Sequence, residues 1–472
     1  MRAHEAGALH ALGYGAPSWL SVPADVNHLV PSLWPRNVTR SPAGALTVAG
    51  LAVGDVAAEF GTPSYVVDEA DFRSRAREFV SAFDTAFAGL CGGADVYYAG
   101  KAFLCTEVAR WVAQEGMGLD TCTGTELAVA LRAQVPPARI GLHGNNKSDA
   151  EIDRAVRAGI GRIVVDSVGE VDRVADAAAR AGVRAPVLLR VTVGVEAHTH
   201  SYIATAHEDQ KFGIPLTGGQ AAEAVARVLA RPELHLRGLH SHIGSQIFDV
   251  SGFEVAARRV LRLHADVVRD HGVVPPELDL GGGFGIAYTT QHDPMPAHDL
   301  AEGMAAIVAS ECAALGIEVP RISVEPGRAV AGPSTFTLYT VGTVKDVVLD
   351  GGGLRRYVSV DGGMSDNIRT ALYDADYSAA LASRCSDVGP VLARVVGKHC
   401  ESGDVVVKDE FLPGDTQAGD LVAVPGTGAY CRSMASNYNH VARPPVLAVR
   451  DGVARVLVRR ETEDDLLALD VG

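Results

Sequence analysis

Short β-branched or apolar runs alternate with alanine-rich stretches over the first two thirds of the chain. In order they are DVYYAGK from Asp95, GLDTC from Gly118, IGLHG from Ile140, RIVVDS from Arg162, VLLRVTV from Val187, LRGLHSHI from Leu236, ELDLGGG from Glu277 and RISVEPG from Arg321. Between the early runs, TEVARWVAQEG (from Thr106) and GTELAVALRAQ (from Gly124) repeat apolar residues at i, i+3 and i+4, the spacing of a helix that buries one face. Eight strands, each followed by a helix, is the count of a parallel (β/α)8 barrel. An open doubly wound sheet would alternate in the same way. The polar residues separate the two. Each run ends in chemistry: Lys101, Asp120, His143, Asp166, Arg190, His242, Gly281 to Gly283 and Glu325. A barrel brings all eight ends to one face, whereas an open sheet uses only those near its switch point.

After Pro333 the pattern changes. FTLYTVGTVKDVVL, RRYVSVDGG, PVLARVVGKHC, GDLVAVPGTGAY, PPVLAVRDG and VARVLVRRE read as strands punctuated by Gly, Asp and Pro, with little helix between them. This predicts an α/β chain with a barrel over 71–333 and a mainly antiparallel β domain (a barrel or sandwich) over 334–472. Within residues 1–70, LTVAGLAVGDVAAEFG reads as a strand and a helix that could pack on the β domain or simply precede the barrel.

Composition narrows the class. The 472 residues carry 42 Lys+Arg against 57 Asp+Glu, a net charge of −15 that disfavours a nucleic-acid partner. No apolar run approaches the roughly 18 residues of a membrane span, and MRAHEAGALH lacks the apolar core of a secretory leader. Seven cysteines without a C-x-x-C pair argue for free thiols and a cytoplasmic protein. The 51 glycines call for turns and close backbone approaches.

Lys101, behind Tyr97 and Tyr98 in YYAGKAF, is placed for a desolvated, nucleophilic amine, and the commonest partner of such an amine is pyridoxal phosphate. The blander alternative is a surface lysine at a strand end. Gly281, Gly282, Gly283 and Gly285 in LDLGGGFG follow a late strand, where barrels commonly hold phosphate; a tight turn is the alternative. SHIGSQ (Ser241 to Gln246) offers an imidazole and a hydroxyl. VEPGR (Val324 to Arg328) offers a carboxylate and a guanidinium fixed by Pro326 and Gly327, suited to a pyridine nitrogen and to a phosphate or carboxylate, or to each other as a structural pair. A metal hydrolase built on His240 and His242 with His198 and His200 would leave Lys101 and the glycines unused. Farther on, KHCESGD sets Cys400 beside Glu401 in a polar turn, DNIRTALY sets Arg369 and Tyr373 at i, i+4, and GTGAYC carries Tyr430.

From LWPRN at Leu33 to the C-terminus, YYAGKAF, HGNNK, HEDQKFG, LHSHIGSQ, LDLGGGFG, VEPGRA, CESGD and GTGAY occur in the order found in the diaminopimelate decarboxylase family, among the alanine-racemase-like, fold-type III pyridoxal-phosphate enzymes. The chain resembles that family over nine tenths of its length. The resemblance implies decarboxylation of meso-2,6-diaminopimelate to L-lysine, the last step of bacterial lysine synthesis. It implies that Lys101 forms the internal aldimine, that His242 stacks on the cofactor ring, and that Ser245 with Gly281, Gly282 and Gly283 holds the phosphate. Glu325 would pair with the pyridine nitrogen, within a cofactor-binding VEPGR segment (Pro326, Gly327, Arg328). Tyr430 would reach phosphate and substrate. Arg328, Arg369 and Tyr373 would hold the distal carboxylate, and Glu401 the distal amine. Cys400 would be the proton donor, reaching into the partner subunit's site of an obligate homodimer. No metal is implied. A sibling decarboxylase of ornithine, arginine or carboxynorspermidine would have no use for Arg369 with Tyr373. An inactive relative would have no use for Lys101, Glu325 and Cys400 together. Gly100 stands where relatives often carry a larger residue.

Overall fold

The computed structural model describes residues 15–194, 211–348 and 354–472. They divide into two units. One is the barrel, Arg73–Gly285 with Pro294–Ala329; the other takes the chain up to Phe72, Ile286–Asp293 and Val330–Gly472.

The chain enters the second unit first. Strands β1 (Val38–Arg40), β2 (Leu46–Val48) and β3 (Leu51–Ala52) form an antiparallel meander, followed by helix α1 (Val53–Phe60) and strand β4 (Ser64–Asp68). Every residue of β4 is buried. Trp34, Leu46, Val48, Val53, Val56 and Val66 share one apolar core with Phe336, Leu338 and Leu447 of the later chain. Burial of these large side chains, at about 1.5–3 kcal/mol each, ties the N-terminal segment to the β unit.

Helix α2 (Glu69–Cys91) leads into the barrel. Its strands are β5 (Ala94–Ala99), β6 (Gly118–Thr121), β7 (Ile140–Leu142), β8 (Arg162–Val165), β9 (Ala185–Thr192), then, past the two-residue β10 (Ile214–Pro215), β11 (Leu234–His240), β12 (Glu277–Asp279) and β13 (Arg321–Val324). All pair in parallel, and the ring closes because β9 pairs with both β8 and β11 while β13 pairs with β5. The amphipathic stretches become helices for local reasons. Asp149–Ala158, for example, starts at Ser148, whose side chain accepts from Glu151 N while Glu151 reaches back, and stops at Gly159 with φ 65°.

Side-chain alternation puts Leu119, Ile163 and Leu278 on the outer face of their strands and Asp120, Arg162, Glu277 and Asp279 on the inner one. Arg162 Nη1 lies 2.8 Å from both Glu277 Oε1 and Asp279 Oδ2, and its Nη2 3.2 Å from Asp120 Oδ1. Strands β8 and β12 are not neighbours, so these contacts cross the barrel interior. The Arg162 guanidinium also stacks 3.5 Å from the Tyr97 ring centroid. One buried cation thus serves several buried carboxylates, an arrangement that is strongly destabilised when one partner is removed.

In the second unit the long β14 (Thr335–Val348) pairs with β4, with β15 (Leu354–Val360) and, past β16 (Ala380–Leu381), β17 (Pro390–Val396) and β18 (Val405–Pro413), with β19 (Leu421–Pro425). A hairpin of β20 (Val446–Arg450) and β21 (Val453–Val458) joins on the far side of β4. Pairings in this sheet are antiparallel except β15–β17 and β4–β20, which are parallel. Strand β18 has no counterpart among the runs read from the sequence, because Lys408, Asp409 and Glu410 interrupt its apolar pattern. The fold neutralises them: Lys408 Nζ meets Asp374 and Asp376 at 2.8 and 2.7 Å, and Asp409 meets Arg355 at 2.9 Å.

Asp366 sits buried just before the short helix Arg369–Tyr373, its carboxylate accepting from Gly363 N at 2.8 Å and facing the Tyr339 hydroxyl. Burial pushes its carboxyl up to about 7, and burial does the same to Glu410. Both groups therefore stabilise the fold when neutral, and that contribution is lost as pH rises through about 7. Each can tilt stability by at most about 1.4 kcal/mol per pH unit. Asp366→Asn keeps an acceptor for Gly363 N and sets an uncharged amide against the Tyr339 hydroxyl. It is expected to flatten roughly half of the fall in melting temperature that these two groups cause between about pH 4 and 7, measured against wild type by thermal denaturation. An unchanged slope would refute the assignment.

Candidate active site

Six of the eight strand ends read from the sequence reach one cavity, while Asp166 and the run Gly281 to Gly283 do not line it. A cavity of about 310 Å³ is lined by Lys101, Asp120, His143, Arg190, His242 and Glu325, with Phe212 and His240 beside them. Lys101 sits in the single turn Gly100–Ala102 directly after β5. It is exposed, so the desolvation expected for its amine is not what the barrel provides. His242 lies two residues past β11, and its Nδ1 accepts from Gly282 N at 3.2 Å. That contact puts the ring proton on Nε2. Burial first, then the charges of Lys101 and Arg190, hold the imidazole well below its usual range, so it stays neutral, flat and apolar in character.

The glycine loop is built differently from a simple row of amide donors. Gly281 N donates to Asp279 Oδ1 at 2.7 Å and Gly282 N to His242, so two of the three amides hold the loop against its neighbours. A Cβ on Gly282 would lie 2.1 Å from Glu325 O, and one on Gly283, whose φ is 110°, 2.5 Å from Gly244 O. Only glycine fits there. The Gly283 amide takes no protein partner among the described residues. Ser245 Oγ accepts from Arg328 Nη2 at 2.8 Å. Pro326 O accepts from Ala99 N at 3.2 Å, and a Cβ on Gly327 would meet Ala99 O at 2.9 Å, so these two residues seat the VEPGR turn against β5. The Gly283 amide, Ser245 and Arg328 form a donor set suited to a phosphate, and Glu325 presents a carboxylate to the same cavity. These residues fit pyridoxal phosphate.

Glu325 is buried, with Oε1 3.1 Å from His240 Nε2, 3.4 Å from His143 Nε2 and 3.8 Å from Arg162 Nη2. Burial pushes its carboxyl up, and His143 is the strongest pull the other way. Asp120 resists its own burial because Arg162 and His143 hold it well below the carboxylate range. Of the histidines considered for a metal, His198 and His200 lie outside the described residues, as does the HEDQ part of HEDQKFG, and His242 turns to the glycine loop.

The β unit gathers a second set. Arg369 is buried, with its guanidinium carbon 5.2 Å from the Tyr288 ring, 5.7 Å from Tyr373 and 6.0 Å from Tyr430. Its Nε has no hydrogen-bond partner among the described residues. Tyr377 packs edge-on to Tyr288 at 4.9 Å. Neither Tyr288 nor Tyr377 stands in a motif; each is a lone aromatic in loop sequence, and only the fold brings them to Arg369. Cys400 and Glu401 lie apart from that cluster's contacts, on the turn between β17 and β18. Cys400 is exposed and its N–H donates to Asn439 Oδ1 at 3.2 Å. Asp404 fixes the turn by accepting from Met364 N and His399 N at 2.6 and 2.7 Å.

Comparison with known proteins bears on these two sets. Residues 70–332 match the family described as pyridoxal-dependent decarboxylase, pyridoxal binding domain. The diaminopimelate decarboxylase of Mycobacterium tuberculosis (strain ATCC 25618 / H37Rv) is 57% identical over 451 residues, covering 94% of this chain and 99% of that one. That of Mycobacterium leprae is 54% identical, covering 100% of both. A crystal structure of diaminopimelate decarboxylase from M. jannaschii in co-complex with L-lysine is 30% identical with a TM-score of 0.85, over 92% of this chain and 98% of that one. With its barrel matched by the pyridoxal-binding model and nearly its whole length by these relatives, the chain belongs to the diaminopimelate decarboxylase family of pyridoxal-phosphate-dependent decarboxylases.

Proposed function

We propose that this enzyme converts meso-2,6-diaminopimelate to L-lysine and CO2, the closing step of bacterial lysine synthesis. The observation that carries the choice of substrate is Arg369, a buried cation ringed by tyrosines with an unsatisfied Nε. Such a site calls for a carboxylate beyond the one that leaves as CO2. The relative from M. jannaschii was crystallised with L-lysine, the product expected here.

The residues divide the work by charge. Bound pyridoxal phosphate supplies the electron sink for the pair left at Cα when CO2 departs. Lys101 would hold the cofactor through its amine and give it up to the substrate amine. Ser245, Arg328 and the Gly283 amide hold the phosphate, with Gly281 and Gly282 shaping the loop; His242 covers the ring, and Glu325 holds a proton at its nitrogen. Arg369 and Tyr373, with Arg328 and Tyr430, orient the distal carboxylate, and Glu401 the distal amine. Cys400 Sγ delivers a proton to Cα. Its exposure, on a turn of the β unit, supports a homodimer in which Cys400 of the partner subunit completes each site. Seven free cysteines suit the reducing cytoplasm, and no helix among the described residues is long and apolar enough to cross a membrane.

The test is CO2 release from meso-diaminopimelate, ornithine and arginine by the purified, cofactor-loaded enzyme. Release from the first alone is expected. No release from it with cofactor bound, or preferred release from ornithine or arginine, would overturn the reading.

A further inference from the structure

Behind Glu325, three strand ends meet in an arrangement that the proposed roles leave unused. His143 Nε2 stands 3.2 Å from Asp120 Oδ1 and 3.4 Å from Glu325 Oε1, and His240 Nε2 approaches the same Glu325 oxygen at 3.1 Å. The two imidazoles meet edge-on, ring centroids 5.2 Å apart. All four side chains are buried. None of these contacts has hydrogen-bond geometry: His143 Nε2, His240 Nε2 and Glu325 Oε1 are buried without a hydrogen-bond partner among the described residues, so what links them is electrostatic. With its proton on Nε2, His143 sets the positive edge of its ring against both buried carboxyl groups, 3.2 Å from Asp120 and 3.4 Å from Glu325.

The surroundings do not offer a substitute for that proton. Arg162 is committed to Asp120, Glu277 and Asp279, and comes no nearer than 3.8 Å to Glu325. Lys101 and Arg190 add positive charge from the cavity wall. Against them stand Asp279, pushed up to about 6 by burial and the charge of Glu325, and Glu126 beyond Cys122. The Cys122 thiol is pushed up to about 12 by burial and stays neutral. His240, held neutral by burial, gives Glu325 a dipole and no charge.

We propose that His143 is a positioning residue for the decarboxylation: its Nε2 edge stands between Asp120 and Oε1 of Glu325, favours the ionised Glu325 by its charge distribution, and leaves Oε2 as the acceptor for the ring nitrogen of pyridoxal phosphate when it is bound. The inference rests on the role proposed for Glu325. Without the N–H, two buried carboxylates face each other directly, and the least costly response is for Glu325 to take up a proton. A protonated Glu325 no longer holds a proton on the ring nitrogen, so the electron sink weakens while substrate contacts are untouched.

The experiment uses the holoenzyme loaded with cofactor labelled with 15N at the ring, in wild type and in His143→Leu, His143→Gln and Glu325→Gln. Three quantities are read: the ring-nitrogen chemical shift, the pH dependence of the visible spectrum, and kcat and KM for meso-diaminopimelate. His143→Leu is expected to give the deprotonated-ring shift of Glu325→Gln and a kcat about 10- to 100-fold lower, with KM nearly unchanged. His143→Gln, whose amide N–H reaches the Nε2 position, is expected to keep the wild-type shift. A protonated ring nitrogen in His143→Leu alongside a deprotonated one in Glu325→Gln overturns the role of His143 alone. A protonated one in Glu325→Gln overturns the role of Glu325 and this inference with it. If His143→Leu does not fold, His143→Asn, whose amide stops short of the Nε2 position, takes its place with the same two outcomes.

Discussion

Lys101→Ala is expected to lower CO2 release by roughly 10⁴-fold or more, because Lys101 is the lysine that lines the cavity. The lysines of the described barrel are few, and Lys147 is locked away, its Nζ 2.9 Å from Glu170 with carbonyls of Gly144 and Val164 completing its shell. Lys101 itself is exposed, so its truncation leaves no cavity. Such changes move stability by about 0.5 kcal/mol or less. The variant should therefore melt with wild type, lose the visible band of covalently held cofactor, and release its cofactor on gel filtration after borohydride treatment. Cofactor retained through that treatment would remove Lys101 from its assigned place.

Cys400→Ala is expected to keep the band and the fold and to lose about 10²- to 10⁴-fold in turnover, the usual range for a positioned proton donor. The turn that carries Cys400 is held by backbone contacts to Asn439 and Asp404 that alanine preserves. Unchanged turnover would assign the proton to another group. The same variant tests the sharing of sites. Mixed in equal amounts with Lys101→Ala and allowed to exchange, it should restore about a quarter of wild-type activity, since half the dimers are mixed and each carries one intact site. No recovery would mean that each chain supplies its own Cys400.

The strands of the barrel are legible in the sequence because their signal is local. Each is a short apolar run that ends in a residue with chemistry, and the early ones are followed by helices of regular period. Strand β18 escaped for the opposite reason: Lys408, Asp409 and Glu410 look like a surface turn until Asp374, Asp376 and Arg355 arrive from elsewhere. Lys101, Glu325 and Arg328 stand out because their neighbours are glycines, prolines and aromatics. The glycine loop was only half legible, since a run of three glycines does not say that two of its amides are spent on Asp279 and His242.

What belonged to the chain alone was periodicity, punctuation and an ordered set of motifs, and these were enough for a barrel, a β domain and a family. Closure of the ring decided the rest. It carries Asp120, His143, His240 and Glu325 from four separate strands into one buried cluster, and it brings Arg162 within reach of carboxylates more than a hundred positions away. Elsewhere, folding of the β unit sets Tyr288 and Tyr377 around Arg369. Local sequence can specify a strand and the residue at its end. The charge state of that residue depends on how deeply it is buried and on which charges the other strands place beside it, and both come into being only when the sheet closes.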